Sequence, residues 1–568
     1  MDRFQRVVLD LVAPVLGRTP EDLEPLIEIP PDLNKGDRAL PCFRFAKEEK
    51  CSPQELATRW KKAICSKRLP EEIERIEAAG GYLNFFITKR ILTAEVLQGI
   101  YASQGKYGFE KRKKPPVAVI EFSSPNIAKP FSIGHLRSTN IGAALARIFE
   151  ARGWRVIRMN HLGDWGTQFG KLMAAYRRWG NAEMLREDAI LNLYKLYVRF
   201  HEEEVSDPTL IEEARDWFSR LESGDAEAKE LWQWFRDLTL AELKPLYDRL
   251  SVEFDYLWGE SFYIDKLPTV LKELETKGLL KESDDATVID LEPHGLPTAL
   301  VQKSDESSLY LTRDLAAAII RFRQFAFDRM IYVVGSPQRL HFQQVFKVLE
   351  LLGHEWVSRC EHVPFGHISF GDEGMSTRKG NVVFLADVLD RAEQMARKIV
   401  EEKNPNLEEK EAVAKDVALA AILFADLSAK RVKDVRFSWE EMLSFDGETG
   451  PYLQYTLVRT ESLIRKYDRP IDGKANTDLL STSEESALIR ELSLFPVVLR
   501  RSEYEREPFL IGQQMISLAR QFNRFYAAHR IVDAPEGTNH ARMLLVSAVR
   551  EVLITGLKLL GIPTLKRM

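Results

Sequence analysis

The chain has 568 residues, 80 of them Lys or Arg and 85 Asp or Glu, a formal net charge of −5. Hydrophobic residues make up 45%, enough for several cores at about 150 residues per domain. The charge balance excludes a uniformly basic coating protein but not a local nucleic-acid patch, because binding follows local charge and not the sum. Four scattered cysteines, Cys42, Cys51, Cys65 and Cys360, offer no disulfide framework, and no apolar run reaches the ~18 residues of a spanning helix. These features predict a cytoplasmic chain without a membrane partner.

At the N-terminus, Phe4, Val7, Val8, Leu11, Val12 and Val15 mark one face of an amphipathic helix, and the acids and missing cleavage site argue against a targeting peptide. Residues 1–112 mix short helical patterns with a strand at 82–88 and lead into the basic stretch KRKKPP (111–116), which reads as a solvated linker. VAVIEF (117–122) is an apolar run closed by a carboxylate, the pattern of a buried parallel strand. A helical pattern over 134–153 and a second strand and turn over 154–166 complete a βαβ unit. Residues 170–290 read as helical and highly charged. RMIYVV (329–334) is another buried strand, with a helix from Leu340 to Leu352 after it, and beyond 385 nearly everything is helix-periodic. The predicted fold is multidomain α/β. It comprises an N-terminal α+β domain (1–112), a doubly wound Rossmann-like domain (113–385) with a helical insertion at about 185–295, a helical region (386–440) and an all-helical domain (441–568).

No G-x-G-x-x-G comes after the first strand and no P-loop occurs, so neither a Rossmann dehydrogenase nor a P-loop enzyme is supported. The strand runs instead into SSPNIAKPFSIGHLRST (123–139). Ligands of open α/β sheets bind at the carboxyl ends of strands, where helix N-termini offer free N–H groups. Gly134 lets a base or ribose approach the backbone, His135 in the first turn can donate to a phosphate, and Lys129 adds a full charge.

This loop resembles the "HIGH" region of class I aminoacyl-tRNA synthetases, and in the form EFSSPNIAK…GHLRST it is similar to arginyl-tRNA synthetases in particular. MNHLGDWGTQFG (159–170), SLYLTRDLAAA (308–318), VVGSPQRLHFQQVF (333–346), GMSTRKGNVVFL (374–385), FDGETGPYLQYT (445–456) and LKLLGIPTLKRM (557–568) agree in order and spacing. The resemblance implies arginine–tRNA ligation with L-arginine, ATP with Mg²⁺, and tRNA(Arg) as substrates, no tightly bound cofactor, no resident metal, and a monomer. It makes 113–385 the catalytic domain, 386–440 the stem-contact region, 441–568 the anticodon-binding domain and 1–112 the domain that meets the tRNA elbow.

The implied catalytic residues are Lys129, Ser132, His135 and Lys379, with ATP on Gly134, His135, Met375, Ser376, Arg378 and Lys379. Two positions depart from the general pattern. Ser132 stands where the first signature His is usual, and Thr377 stands at the usual Lys position of the second motif, a loss that Lys129 is thought to offset in arginyl enzymes. The arginine-binding positions map onto Glu121, Ser124, Asn126, Tyr310, Asp314 and Gln338, with His161 nearby. Carboxylates suit a guanidinium, whose fork of N–H donors pairs with planar acceptors. The implied tRNA contacts are Tyr452, Tyr455, Arg459 and Tyr526 in the last domain, and Tyr82 and Asn84 in the first. Ser132 also motivates a rival reading, a tRNA-binding relative without catalysis. Cys360, His362 and His367 lack zinc-like spacing and read as strand and loop positions.

Overall fold

The computed structural model describes residues 3–30, 35–283, 286–302, 310–370 and 383–568, with the side chains of Tyr310 and Phe370 outside that set. The N-terminal unit is a three-stranded antiparallel sheet, β1 (Arg38–Pro41), β2 (Ile73–Ala79) and β3 (Tyr82–Ile87), in the order β1-β3-β2. The helices Arg3–Leu16 and Pro53–Cys65 cover it, burying Val8, Leu9 and Val12 with Leu56, Trp60 and Phe85. This is the expected α+β arrangement. The 111–116 linker has no regular structure, yet Arg112 is anchored, bonding Glu110 at 3.1 Å and lying 5.3 Å over the Trp154 ring.

The second unit is built on a parallel sheet of β4 (Val117–Glu121), β5 (Arg155–Met159), β9 (Arg329–Gly335) and β10 (Cys360–Phe365), in the order β10-β9-β4-β5. β4 is central, and its Ala118, Val119 and Ile120 are buried because helices cover both faces. From β4 the chain first steps to β5 on one side and later returns to β9 on the other, so strand order reverses at β4, where such folds open a crevice for ligands. The helix Ile133–Ala151, here the signature helix, packs on one face. A Cβ at Gly142 would stand 2.2 Å from Phe122, so the close approach of this helix to the strand's end requires glycine. The helices Tyr310–Phe325 and Arg339–Leu352 pack on the other face.

The insertion is helical from Thr167 to Arg249, as read from the sequence, and has its own core around Phe169, Phe200, Phe218 and Phe235. Its last part differs from that reading. β6 (Leu280–Ser283), β7 (Ala286–Ile289) and β8 (Ala299–Gln302) form a small antiparallel sheet. Strands of four residues are too short for a period-two pattern to stand out from the helical segments around them. After 383 the chain is helical except for β12 (Val435–Phe437), which pairs in parallel with β11 (Ile368–Phe370). Among the described residues no helix is long and apolar enough to cross a membrane.

A buried ion pair ties these parts together. Arg137, in the first turns of the signature helix, donates from Nε to Asp426 Oδ1 at 2.8 Å and from Nη1 to Lys433 O at 2.6 Å and His367 O at 3.3 Å. Asn140 Nδ2 bonds the other Asp426 oxygen at 2.9 Å. Both charges are fully buried, so removing one strands the other without water. Asp426→Ala is therefore expected to destabilise the protein by about 3–5 kcal/mol in a denaturant titration, and a loss under about 1 kcal/mol would contradict that role.

Candidate active site

The loop between β4 and the signature helix is strained and held from outside. Ser123, Ser124 and Ala128 have φ of +72°, +48° and +60°, left-handed values that cost a side-chain-bearing residue about 1–2 kcal/mol each. Ser138 Oγ accepts from Ser123 N at 3.0 Å, Asn160 Oδ1 from Ser124 N at 3.1 Å, and Thr239 Oγ1 from Ala128 N at 3.1 Å. Tyr247 bonds both Ser123 Oγ at 2.8 Å and Asn160 Nδ2 at 3.0 Å. Gly163 lies so close that a Cβ there would meet Asn126 Oδ1 at 2.0 Å. Asn160, Thr239 and Tyr247 escaped the sequence reading, since their role exists only across separations of tens of residues or more. The segment MNHLGDWG, which carries Asn160, was the one visible hint.

At the start of the signature helix, Ser132 N donates to His135 Nδ1 at 3.0 Å. That bond leaves the ring proton on Nε2, pointing away from the helix end. Burial foremost, helped by the Lys129 charge, lowers the His135 pKa, so the ring is neutral and a directed donor. Phe131 stacks on it with centroids 5.0 Å apart. Ser132, unable to take the place of a charged imidazole, thus fixes the tautomer of the second signature residue. Lys129 is half-buried, its ammonium 5.2 Å over the Tyr197 ring, with no carboxylate within 4 Å among the described residues. Burial lowers its pKa.

Gly374, Met375, Ser376, Thr377, Arg378, Lys379 and Gly380 lie outside the described residues. Both flanks of that segment meet the signature helix. Ile133 N donates to Val383 O at 3.0 Å and Leu385 N to Phe131 O at 2.9 Å, while Arg137 holds His367 just before β11.

Of the positions expected to bind arginine, Glu121 and Asp314 are brought together at the carboxyl end of β4 through Arg321 and His161. Glu121 ends β4, and its Oε2 accepts from Nη1 of Arg321, a fully buried arginine on the Tyr310–Phe325 helix. Arg321 also donates to Tyr263 Oη at 3.1 Å and contacts His161 Nδ1 at 3.1 Å. Asp314, one turn into the same helix, is bonded by His341 Nε2 at 2.5 Å on Oδ2 and has His161 Nε2 3.8 Å from Oδ1. Burial alone would raise the Asp314 carboxyl, but His341 and His161 hold it below its ordinary value. The Asp314 side chain is 24% exposed and Glu121 is 6% exposed. Glu121 Oε1 carries no hydrogen bond among the described residues. Ser124 Oγ is buried without a partner, and Asn126 is exposed beside it. Gln338, also exposed, stands just before the Arg339–Leu352 helix, one turn ahead of His341, and makes no capping hydrogen bond with its side chain. Tyr310 opens its helix, four residues before Asp314, with its side chain outside the described residues. Arg321 and His341 were missed by the sequence reading. Arg321 is 200 residues from its partner Glu121, and a lone basic residue on a helix carries no signal of burial.

Cys360 and His362 lie in β10, with His362 Nε2 2.9 Å from Val334 O, and His367 lies just before β11. In the last domain, Tyr455 and Tyr526 are 40% and 41% exposed and flank the Arg459 guanidinium at 4.6 and 5.3 Å. Asn523 orients this sandwich, accepting from Arg459 at 2.8 Å and donating to Tyr452 Oη at 2.9 Å. Two helices of the final bundle, Gly450–Tyr467 and Phe509–Ala528, supply these side chains. The N-terminal pair fares differently. Tyr82 is half-buried edge-on to the exposed Phe43 at 5.2 Å, but Asn84 is 5% exposed in the middle strand. Strand alternation sets Leu83 and Phe85 into the core and leaves Asn84 on the other face of β3 with Tyr82, where it is buried.

Residues 96–439 match the family described as tRNA synthetases class I (R), catalytic domain, residues 453–568 the DALR anticodon binding domain, and residues 2–87 the arginyl tRNA synthetase N terminal domain. An arginine–tRNA ligase of Halothermothrix orenii is 45% identical with 100% of both chains covered, and one of Clostridium botulinum (strain Okra / Type B1) is 46% identical with 96% of both covered. The solved Thermus thermophilus arginyl-tRNA synthetase is 28% identical, with a TM-score of 0.84 over 99% of this chain and 100% of that one. With catalytic, anticodon-binding and N-terminal parts all matched in order, the chain belongs to the class I arginyl-tRNA synthetases, the family of arginine–tRNA ligases.

Proposed function

We propose that the ligation of arginine to tRNA(Arg) by this chain is divided among the residues gathered at the ends of β4 and β9 and on the C-terminal bundle. Arginine is first activated with ATP to arginyl-adenylate, then passed to the 3′ end of the tRNA, with AMP and pyrophosphate released. One observation carries the arginine assignment: each of two acids has one oxygen hydrogen-bonded by a basic side chain and the other without a hydrogen bond among the described residues. Arg321 takes Oε2 of Glu121 and His341 takes Oδ2 of Asp314. Each acid keeps one oxygen, and a guanidinium presents a planar fork of donors to fill such a pair. The family resemblance adds Tyr310 and Gln338 to the arginine site and gives the α-amino and carboxylate groups to Ser124 and Asn126.

The arginine carboxylate then attacks the α-phosphate, and catalysis is positioning plus neutralisation of charge on phosphoryl oxygens. His135 donates from Nε2 to the α-phosphate. The open backbone at Gly134 admits the nucleotide, since a Cβ there would meet nothing nearer than Ser132 Oγ at 3.5 Å. Lys129 supplies the charge that Ser132 and Thr377 do not. The family resemblance assigns the β- and γ-phosphates to Met375, Ser376, Arg378 and Lys379. ATP enters with its Mg²⁺ as substrate, and no tightly bound cofactor is needed. Tyr455, Tyr526 and Tyr452 stack unpaired anticodon bases around Arg459, and Tyr82 meets the tRNA elbow. From Pro508 to Met568 there are 8 Lys or Arg against 3 Asp or Glu, a local positive charge in an acidic chain. All of these parts lie on one chain, so a monomer suffices, and its place as a translation enzyme without a membrane-spanning helix among the described residues is the cytoplasm.

Arginine-dependent pyrophosphate exchange, with and without tRNA(Arg), tests the reading, and its absence with tRNA present would favour the non-catalytic rival. Lys129→Ala is expected to slow exchange by about a hundredfold or more, the effect of losing a preorganised charge, and a rate within about twofold would remove Lys129 from the mechanism. Asp314→Asn should raise the KM for arginine by about a hundredfold, and an unchanged KM would take Asp314 out of the site. Tyr455→Ala should weaken tRNA(Arg) binding by about 1–3 kcal/mol while leaving the KM for arginine at its wild-type value; unchanged tRNA affinity would return Tyr455 to simple bundle packing.

A further inference from the structure

Two imidazoles face Asp314, and their surroundings differ. His161 Nδ1 is 3.1 Å from an Arg321 N–H, a permanent donor that requires a lone pair there, which leaves the His161 proton on Nε2 toward Asp314. His341 donates through Nε2, and its Nδ1 has no hydrogen bond among the described residues, so that nitrogen is free to gain or lose a proton. The other titratable and charged groups facing this pair are Arg321 and Glu121 behind Asp314, Glu260, whose carboxyl pKa is pushed by burial up to about 7 against the charge of its partner Arg313, Arg339 earlier on the same helix as His341, and His362 on β10. Burial lowers the His362 pKa, so that ring adds no charge.

We propose that His341 is a positioning residue that couples guanidinium recognition to the release of one proton, holding Asp314 Oδ2 in both of its protonation states and docking the substrate cation only when neutral. The proposal rests on the assignment of Asp314 as guanidinium acceptor. A count of charge supports it. Glu121 and Asp314 carry two negative charges and Arg321 one positive, so with His341 neutral the cluster is short of one cation, which the guanidinium supplies. With His341 protonated the cluster is already balanced and does not call for the ligand. The switch needs no movement, because neutral imidazole with its proton on Nε2 donates the same hydrogen bond to Asp314 as the imidazolium does. The proton leaves from Nδ1 to solvent. Burial would lower the His341 pKa, but the hydrogen bond to Asp314 and its charge outweigh this and raise it. Below that raised pKa arginine must expel a proton and binds more weakly; affinity climbs with pH until His341 is neutral, then levels off.

The test is calorimetric titration of the full-length chain, with tRNA(Arg) already bound, by L-arginine from about pH 6 to about pH 8 in buffers of different ionisation enthalpy. Release approaching one proton at the acid end is expected, with Kd falling by up to about tenfold per pH unit there. His341→Gln keeps a donor for Asp314 but cannot titrate, so it should bind arginine without proton release and with a pH-independent Kd. His161→Gln should still release the proton. Equal release in wild type and His341→Gln, loss of release in His161→Gln, or no release in wild type would each overturn the proposal; the last criterion stands even if a variant fails to fold. Arginine that does not bind to the wild type at any pH would instead overturn the arginine-site assignment itself.

Discussion

The site depends on a guanidinium that belongs to the protein. Arg321 has no contact with solvent, and an unpaired charge in that position would cost several kcal/mol. Glu121, Tyr263 and His161 satisfy it, and in doing so they are themselves fixed: Glu121 loses one oxygen, and the His161 tautomer is set. Because Arg321 and Asp314 lie on one helix while Glu121 and His161 belong to the ends of the neighbouring strands β4 and β5, the pair also registers that helix against the sheet. On the proposed function, a binding site for a cation is thus organised around a cation that never leaves.

The same economy governs the nucleotide side. Three left-handed residues between β4 and the signature helix set the path of the backbone on the side proposed to take the nucleotide, a conformation that the loop alone would not keep. Its supports come from the signature helix (Ser138), the end of β5 (Asn160) and the insertion (Thr239, Tyr247). The insertion is therefore part of the active-site architecture and not a decoration upon it. Arg137 extends the coupling to the helix Lys410–Leu427 through Asp426, so the helix carrying His135 cannot shift independently of the region beyond the second signature.

The features legible in the sequence are those that depend on local order. The apolar run at 117–122, the helical period after Gly134 and the run at 329–334 each announce their element, because burial on two faces or one stripe leaves a pattern within a few residues. Asp314 and Tyr310 are named through the resemblance of their motif, since their four-residue spacing alone is equally that of an aromatic and an acid on an ordinary helix. Arg321, His341, Tyr247 and Thr239 are not so named, since each matters through a partner far away in the chain. The short strands β6, β7 and β8 fall below the length at which alternation can be recognised, and the burial of Asn84 beside the half-buried Tyr82 leaves no mark in the local sequence. Tyr455, Arg459 and Tyr526 were each indicated singly, but their assembly as one exposed sandwich is a property of the folded bundle.

Arg321 and His341 each occupy one oxygen of an acid, and on this reading they reserve the other oxygen for the substrate. A crystal structure of the chain with L-arginine bound tests this division most directly. Guanidinium nitrogens are expected on Glu121 Oε1 and Asp314 Oδ1, with Arg321 still on Glu121 Oε2 and His341 still on Asp314 Oδ2. A substrate guanidinium that displaces Arg321 from Glu121, or one seated away from Asp314, would contradict it.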